Sequence, residues 1–198
     1  MKHLILIRHG QPDVPTSGHT GNPPLTVRGH EQAAYAAAAL RKEPISRIYS
    51  SGMIRADETA APLAKALNLP IDTHEGLGEI DRWGGDYVSI DAIRQKGADH
   101  WRMFLADPFT YLQIDGDKFR SETLAAFDQI LDAPGEGAVA IFTHGFPINI
   151  LLARALGLNN DARFVPSYAS FSRLAGRKLD ALTVVSVNES GHIPEVLK

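Results

Sequence analysis

The sequence predicts an α/β fold: a three-layer α/β/α sandwich around a mostly parallel central sheet. Two observations carry this expectation. Short apolar runs of strand length alternate with segments of helical periodicity, the pattern of a sheet covered by helices on both faces. Two of the runs, "LILI" at 4–7 and "AVAIFT" at 138–143, read as strands buried on both sides, and each leads into a His-Gly pair. Those pairs, His9-Gly10 and His144-Gly145, lie 135 positions apart. If both strands run parallel near the sheet centre, the two histidines meet at the rim where such sheets bind ligands.

The elements follow in order. Residues 3–7 form the first strand, bounded by Gly10 and Pro12. Residues 11–25 are rich in proline and glycine and form a loop. Thr26 caps a helix over 27–42, with Ala33, Ala34, Ala37 and Leu40 on one face. "RIYSS" (47–51) is a short strand, and "GMIRADETAAPLAKAL" a helix that Pro62 is expected to kink or interrupt. Residues 70–88 read as irregular. Residues 89–106 suit one helix carrying Ile90, Ile93, Trp101 and Phe104, and 107–120 read as loop with an extended "TYLQI". Ser121 is expected to cap a helix over 122–132. After the strand at 138–143 comes a helix with Pro147 in its first turn and Gly157 beyond its end. "FSRLA" and "TVVSV" complete the strands. The chain reads as a single domain over 1–198, with a cap of helix and loop at 84–120.

Composition narrows the function. The 198 residues carry a net charge of −3, 44% apolar and 22% charged residues, and no cysteine. The basic excess of a nucleic-acid-binding protein is missing. Without cysteine there is no disulfide, thiolate metal site or thiol nucleophile. The N-terminal apolar run is too short for a signal peptide or membrane span, so the expectation is a cytoplasmic protein with no membrane or nucleic-acid partner.

The chemistry concentrates at the strand ends. Arg8 beside His9 disfavours a metal dication and suits an anion, because the arginine fork matches phosphate oxygens. Arg55 stands in the first turns of a helix after a strand, another setting that favours anions. Two arginines and two histidines converging in an acidic protein make a local positive pocket whose natural guest is a phosphoryl group. There His9, as neutral imidazole, can attack phosphorus in line, while Arg8, Arg55 and His144 stabilise the equatorial oxygens. A carboxylic acid of raised pKa must protonate the leaving alkoxide and then activate water. Glu79 in "GLGEIDRWGG" is the candidate, with Asp81 and Glu75 as competitors.

These segments resemble the histidine phosphatase superfamily in its phosphoglycerate-mutase-like branch. "LIRHG" is similar to the signature around the phosphorylated histidine, "PLTVRGHEQA" to the PLTxxGxxQA segment, and "IYSSGMIRADETA" to SSxxxRAxxTA. "LGEIDRWGG" resembles the stretch that bears the proton donor, and "FTHGFPINILL" the second histidine motif. The resemblance covers most of the chain in the family's order. It implies a phosphoglycerate-mutase-like sandwich with no metal and no cofactor. It assigns the nucleophile to His9, phosphate contacts to Arg8, Arg55 and His144, and the acid to Glu79. Gly145 follows His144 where the acid-phosphatase branch has aspartate, which leaves Glu79 as the better acid. Pro12 and Pro15 replace the Thr or Ser and the Asn with which the family often adds contacts, and this counts against a mutase. Gly84-Gly85 stands where Glu-Gly is usual.

The reading is therefore a metal-independent phosphomonoesterase acting on a small phosphorylated metabolite, as monomer or homodimer. A phosphoglycerate-mutase-type phosphotransferase is the alternative, and a non-catalytic phospho-ligand module the third. Other patterns fail. His30-Glu31 lacks the second histidine of a zinc helix, since Ala34 stands there. Asp115-Gly116-Asp117 is broken as an aspartyl-phosphate motif by Phe119. Gly76-Leu77-Gly78 is an incomplete dinucleotide fingerprint. Trp83, Trp101 and Phe104 read as core or pocket wall, and His192 as structural.

Overall fold

The computed structural model describes residues 1–14, 21–83 and 87–198. The expectations placed on Pro15 and on Gly84-Gly85 fall outside these residues. The described strands are β1 (Lys2–Arg8), β2 (Ile45–Ser50), β3 (Ile71–Thr73), β4 (Gly137–Thr143), β5 (Phe171–Gly176) and β6 (Thr183–Glu189). They form one sheet in the order β3-β2-β4-β1-β5-β6. β3, β2, β4 and β1 run parallel, and β5 is antiparallel to both β1 and β6. The sheet is thus mostly parallel, with β1 and β4 adjacent at its centre and in register from Lys2 opposite Gly137 to Arg8 opposite Thr143.

Alternation along these strands builds the three layers. Ile5, Ile7, Ala138, Ala140 and Phe142 face one side and pack with Ala36, Ala37 and Leu40 of α1 (Val27–Leu40) and Ala60 and Leu63 of α2 (Ile54–Leu67). Leu4, Leu6, Val139 and Ile141 face the other side. They meet Phe127 and Ile130 of α6 (Gly116–Asp132) and Ile148 and Leu151 of α7 (Gly145–Leu156). A strand buried on both faces must be apolar at successive positions, which accounts for "LILI". A third cluster joins Ile93 of α3 (Ile90–Gln95), Phe104 of α4 (Ala98–Ala106), Phe109 of α5 (Pro108–Leu112) and Phe119 to Phe146 at the start of α7. Among the described residues no helix is long and apolar enough to cross a membrane.

Several local expectations are corrected. α2 continues through Pro62 without interruption: its buried face, including Ala56, Thr59, Ala60 and Leu63, outweighs one lost backbone bond. The helix expected over 89–106 is two helices, because Gly97 adopts φ 108°, a conformation that glycine enters at little cost. "TYLQI" is not extended. Asp107 caps α5 by accepting from Thr110 N–H at 3.0 Å, with Pro108 in the first turn. The cap of α6 is Asp115, which accepts from Lys118 N–H at 3.0 Å, so Ser121 lies inside the helix. The 70–88 stretch contains β3 and two single-turn 3₁₀ segments. Thr26 caps α1 as expected, its hydroxyl accepting from Gly29 N–H at 2.9 Å.

Candidate active site

The β1–β4 register fixes the two histidines. His9 N–H donates to Thr143 O at 3.0 Å, carrying the parallel ladder one residue past β1. The rings of His9 and His144 consequently lie 5.0 Å apart, centroid to centroid, and both side chains are buried. The first strand ends in His-Gly for a steric reason. A Cβ on Gly10 would stand 2.5 Å from Gly29 O, and one on Gly29 would stand 2.3 Å from Gln11 O. The start of α1 therefore presses directly on the chain after His9. Gly10 N–H donates to Thr59 Oγ1 at 2.9 Å, and Thr59 donates in turn to Arg55 O at 2.6 Å. This clamps the end of β1 and His9 to the first turns of α2.

The tautomer of His9 follows from its contacts. Nδ1 lies 2.7 Å from Gly10 O, which can only accept, so Nδ1 carries the proton and Nε2 the lone pair. Nε2 has no hydrogen-bond partner among the described residues. Burial, then Arg55 and Arg8, push the His9 pKa well below its ordinary 6.5. His144 is shifted the same way, by burial and then Arg55. Ser51 Oγ accepts from Met53 N–H and is hydrogen-bonded to His144 Nε2 at 2.8 Å, which holds that ring in place.

Arg55 is fully buried at the start of α2 and donates from Nη2 to Asp81 Oδ1 at 2.9 Å. Its Nε and Nη1 and Arg8 Nε are buried donors, and His144 Nδ1 a buried ring nitrogen, without a partner among the described residues. Buried donors normally find acceptors, so three arginine donors beside His9 suit a guest with several anionic oxygens. Two tyrosines cover the arginines: Tyr168 lies 4.2 Å from the Arg8 guanidinium carbon and Tyr87 4.9 Å from that of Arg55. Both rings also approach His9, at 5.7 and 6.4 Å between centroids.

Glu79 sits on the loop before the second 3₁₀ turn, half-buried. One long-range and two local hydrogen bonds hold that loop. Thr143 Oγ1 donates to Leu77 O at 2.6 Å, and Arg82 donates to Gly76 O and Gly78 O. Glu79 Oε2 accepts from Phe146 N–H and Oε1 from Ile80 N–H, both at 3.2 Å. The carboxyl thus rests at the start of α7, directly after His144. Burial, reinforced by Asp81, raises its pKa to about 7, against the pull of those N–H groups and Arg55.

Of the two competing carboxylates, Asp81 is paired with Arg55 through Oδ1 while its Oδ2 is buried without a partner among the described residues, and its pKa is raised by burial in spite of that pairing. Glu75 is exposed. All five candidates, Arg8, His9, Arg55, Glu79 and His144, therefore converge at one rim. Tyr87, Tyr168, Ser51 and Thr59 were not anticipated. Ser51 and Thr59 belong to the "SSGMIRADETA" segment, where their spacing from Arg55 was an available signal; the tyrosines lie in loops without periodicity. No group of three or more potential metal-ligating side chains occurs among the described residues.

The sequence profile of the histidine phosphatase superfamily (branch 1) matches residues 4–189. The chain belongs to that superfamily. It is 26% identical over 167 residues to phosphoserine phosphatase 1 of Hydrogenobacter thermophilus, covering 80% of this chain and 78% of that one. It is equally 26% identical, over 165 residues, to a probable phosphoglycerate mutase of Yersinia enterocolitica, covering 80% and 76%. Among solved structures, Bacillus stearothermophilus YhfR superposes with a TM-score of 0.78 at 25% identity, over 98% of this chain and all of that one. The superfamily's members include phosphatases and mutases, so the chain is an enzyme of phosphoryl transfer with a phosphoglycerate-mutase-like fold.

Proposed function

We propose that this protein is a metal-independent phosphomonoesterase that works through a phosphohistidine on His9. The observation that carries the reading is the set of buried, unpaired Arg8 and Arg55 donors beside the His9 and His144 rings, with the Glu79 carboxyl held at the start of α7. His9 is held neutral and Glu79 is held close to half-protonated at neutral pH. His9 Nε2 attacks phosphorus as the bond to the leaving oxygen breaks. Arg8, Arg55 and His144 take up charge on the equatorial oxygens, and Glu79 gives its proton to the leaving alkoxide. In the second half-reaction the Glu79 carboxylate takes a proton from water, which attacks the phosphohistidine and releases inorganic phosphate and neutral His9.

Hydrolysis is favoured over return of the phosphoryl group to substrate by Pro12. This residue is bridged to Leu25 and offers no donor to a second phosphoryl group. The test is phosphate release from a panel of phosphomonoesters in EDTA, by wild type and by His9→Ala. Turnover that survives EDTA, disappears in His9→Ala and leaves an acid-labile phosphoenzyme after quenching is the expected result. Release that persists in His9→Ala, or that EDTA abolishes, overturns the mechanism. Conversion of 3- to 2-phosphoglycerate without phosphate release would put the chain with the mutases.

A further inference from the structure

The cleft beside Glu79 holds information about the leaving group that the phosphoryl site does not. Arg8, Glu79, Asp81 and Gly145 are among its lining, so it reaches the side where the acid sits. Its walls are apolar: Tyr87, Ile90, Phe104, Phe146, Phe164 and Val165 among them. Tyr87 and Ile90 come from just before and at the start of α3, and Phe104 from α4, inside the segment expected to cap the site.

Two polar residues on the wall are already engaged. Asn149 donates to Gly145 O and Phe164 O, and its carbonyl accepts from Phe164 N–H, at 2.8–2.9 Å. Asp161 accepts from Arg120 Nε at 2.6 Å. Arg8 is the only cationic side chain among the described lining residues, and it faces the phosphoryl donors. A substrate with a carboxylate or second phosphate on its alcohol would thus place that charge against aromatic and aliphatic walls and Asp161, without a partner, which is costly.

We propose that the cleft selects phosphomonoesters of uncharged, apolar alcohols, aromatic or branched aliphatic, and discriminates against phosphoglycerates and phosphoserine. The proposal rests on the phosphomonoesterase reading and adds the identity of the leaving group. The alcohol body lies against Tyr87 and the edge-to-face pair of Phe104 and Phe146, whose ring centroids are 6.1 Å apart, while its oxygen meets Glu79. Burial of one phenyl group in such a cleft corresponds to about 100-fold in kcat/KM.

The experiment compares 2-phenylethyl phosphate with ethyl phosphate, 3-phosphoglycerate and phosphoserine. All are esters of aliphatic alcohols, so leaving-group acidity does not dominate. The expected ratio of kcat/KM for 2-phenylethyl over each of the others is about 100. Ala162→Leu narrows the lining and is expected to lower the 2-phenylethyl to ethyl ratio at least tenfold. Val165→Lys, at an exposed wall position, is expected to raise 3-phosphoglycerate relative to 2-phenylethyl phosphate. A wild-type ratio below ten, or preference for the charged esters, overturns the inference and leaves the phosphomonoesterase reading standing. Absence of turnover on every ester overturns that reading, and the inference with it.

Discussion

Glu79→Gln separates the two chemical roles assigned to this side chain. In wild type, the first half-reaction needs the protonated acid, and its pKa stands at about 7. The protonated fraction falls from about nine-tenths at pH 6 to about one-tenth at pH 8, so kcat/KM for an alkyl ester drops about tenfold across that interval. The limb falls with rising pH because the acid form is the active one. His9 contributes no limb there, since its own pKa lies well below 6.5. Glu79→Gln preserves shape but cannot give up a proton. It should lower kcat/KM for an alkyl ester by about 10²- to 10⁴-fold and abolish the alkaline limb. A nitrophenyl ester hardly needs protonation on leaving, so its kcat/KM should fall less than about tenfold. Attack of water on the phosphohistidine still lacks its base, and nitrophenolate should therefore appear as a burst equal to the enzyme concentration, followed by slow turnover. Stopped-flow absorbance and phosphate release, measured across pH, read all of these quantities. Equal losses on both esters, or an alkaline limb retained in Glu79→Gln, would refute the assignment of acid and base to this residue.

Three further outcomes follow from the same contacts. Gly10→Ala puts a Cβ against the Gly29 carbonyl at 2.5 Å, backbone against backbone, and should cost about 1–3 kcal/mol in denaturant unfolding as well as activity. Thr59→Val leaves the Gly10 N–H without its buried acceptor and should cost about 1–3 kcal/mol, with a fall in kcat/KM as His9 loses its clamp; unchanged stability would show the bond to be dispensable. Glu79 has a folded-state pKa above its unfolded value of 4.5, so the unfolded chain ionises first and the penalty for burying Glu79 grows as pH rises. It levels off above about pH 7 at about 3 kcal/mol, and Glu79→Gln should gain on wild type in thermal melts between about pH 4.5 and 7 by up to that amount.

The parts of the site that could be read in advance are those tied to regular structure. His9 and His144 end two strands whose apolar runs demand burial, and parallel pairing then brings them together whatever the loops do. Arg55 follows a strand and opens a helix, so its position was equally constrained. Glu79 is different. Its place depends on Thr143 holding Leu77 O, a contact between segments far apart in sequence, and on Arg82 holding two carbonyls of its own loop; its loop position made it the candidate, and the family likeness favoured it over Asp81 and Glu75. The tyrosines over Arg8 and Arg55 had no such likeness behind them. Element boundaries failed for a related reason. Asp107 and Asp115 cap helices inside a stretch that looked like loop, and the aromatic cluster around Phe146 gives those short helices the burial that their sequences lack alone.

The electrostatics of the rim form one coupled arrangement. Two buried arginines beside two histidines would be untenable if the imidazoles also carried charge, and both are shifted downward accordingly. That same positive field would ionise a nearby carboxyl, which an acid catalyst cannot allow. Asp81 resolves the conflict by pairing with Arg55 Nη2, which cancels part of the field, while its own negative charge and the burial of Glu79 hold the acid proton in place. Arg55 keeps Nε and Nη1 unpaired among the described residues, where the proposed mechanism places the phosphoryl oxygens. Asp81 therefore acts on the reaction without touching substrate: removing its charge should lower the Glu79 pKa and deepen the depression at His9. The proposed mechanism requires the acid form of Glu79 and the neutral form of His9 together, and burial first, then the charges of Arg55 and Asp81, let both exist at one pH.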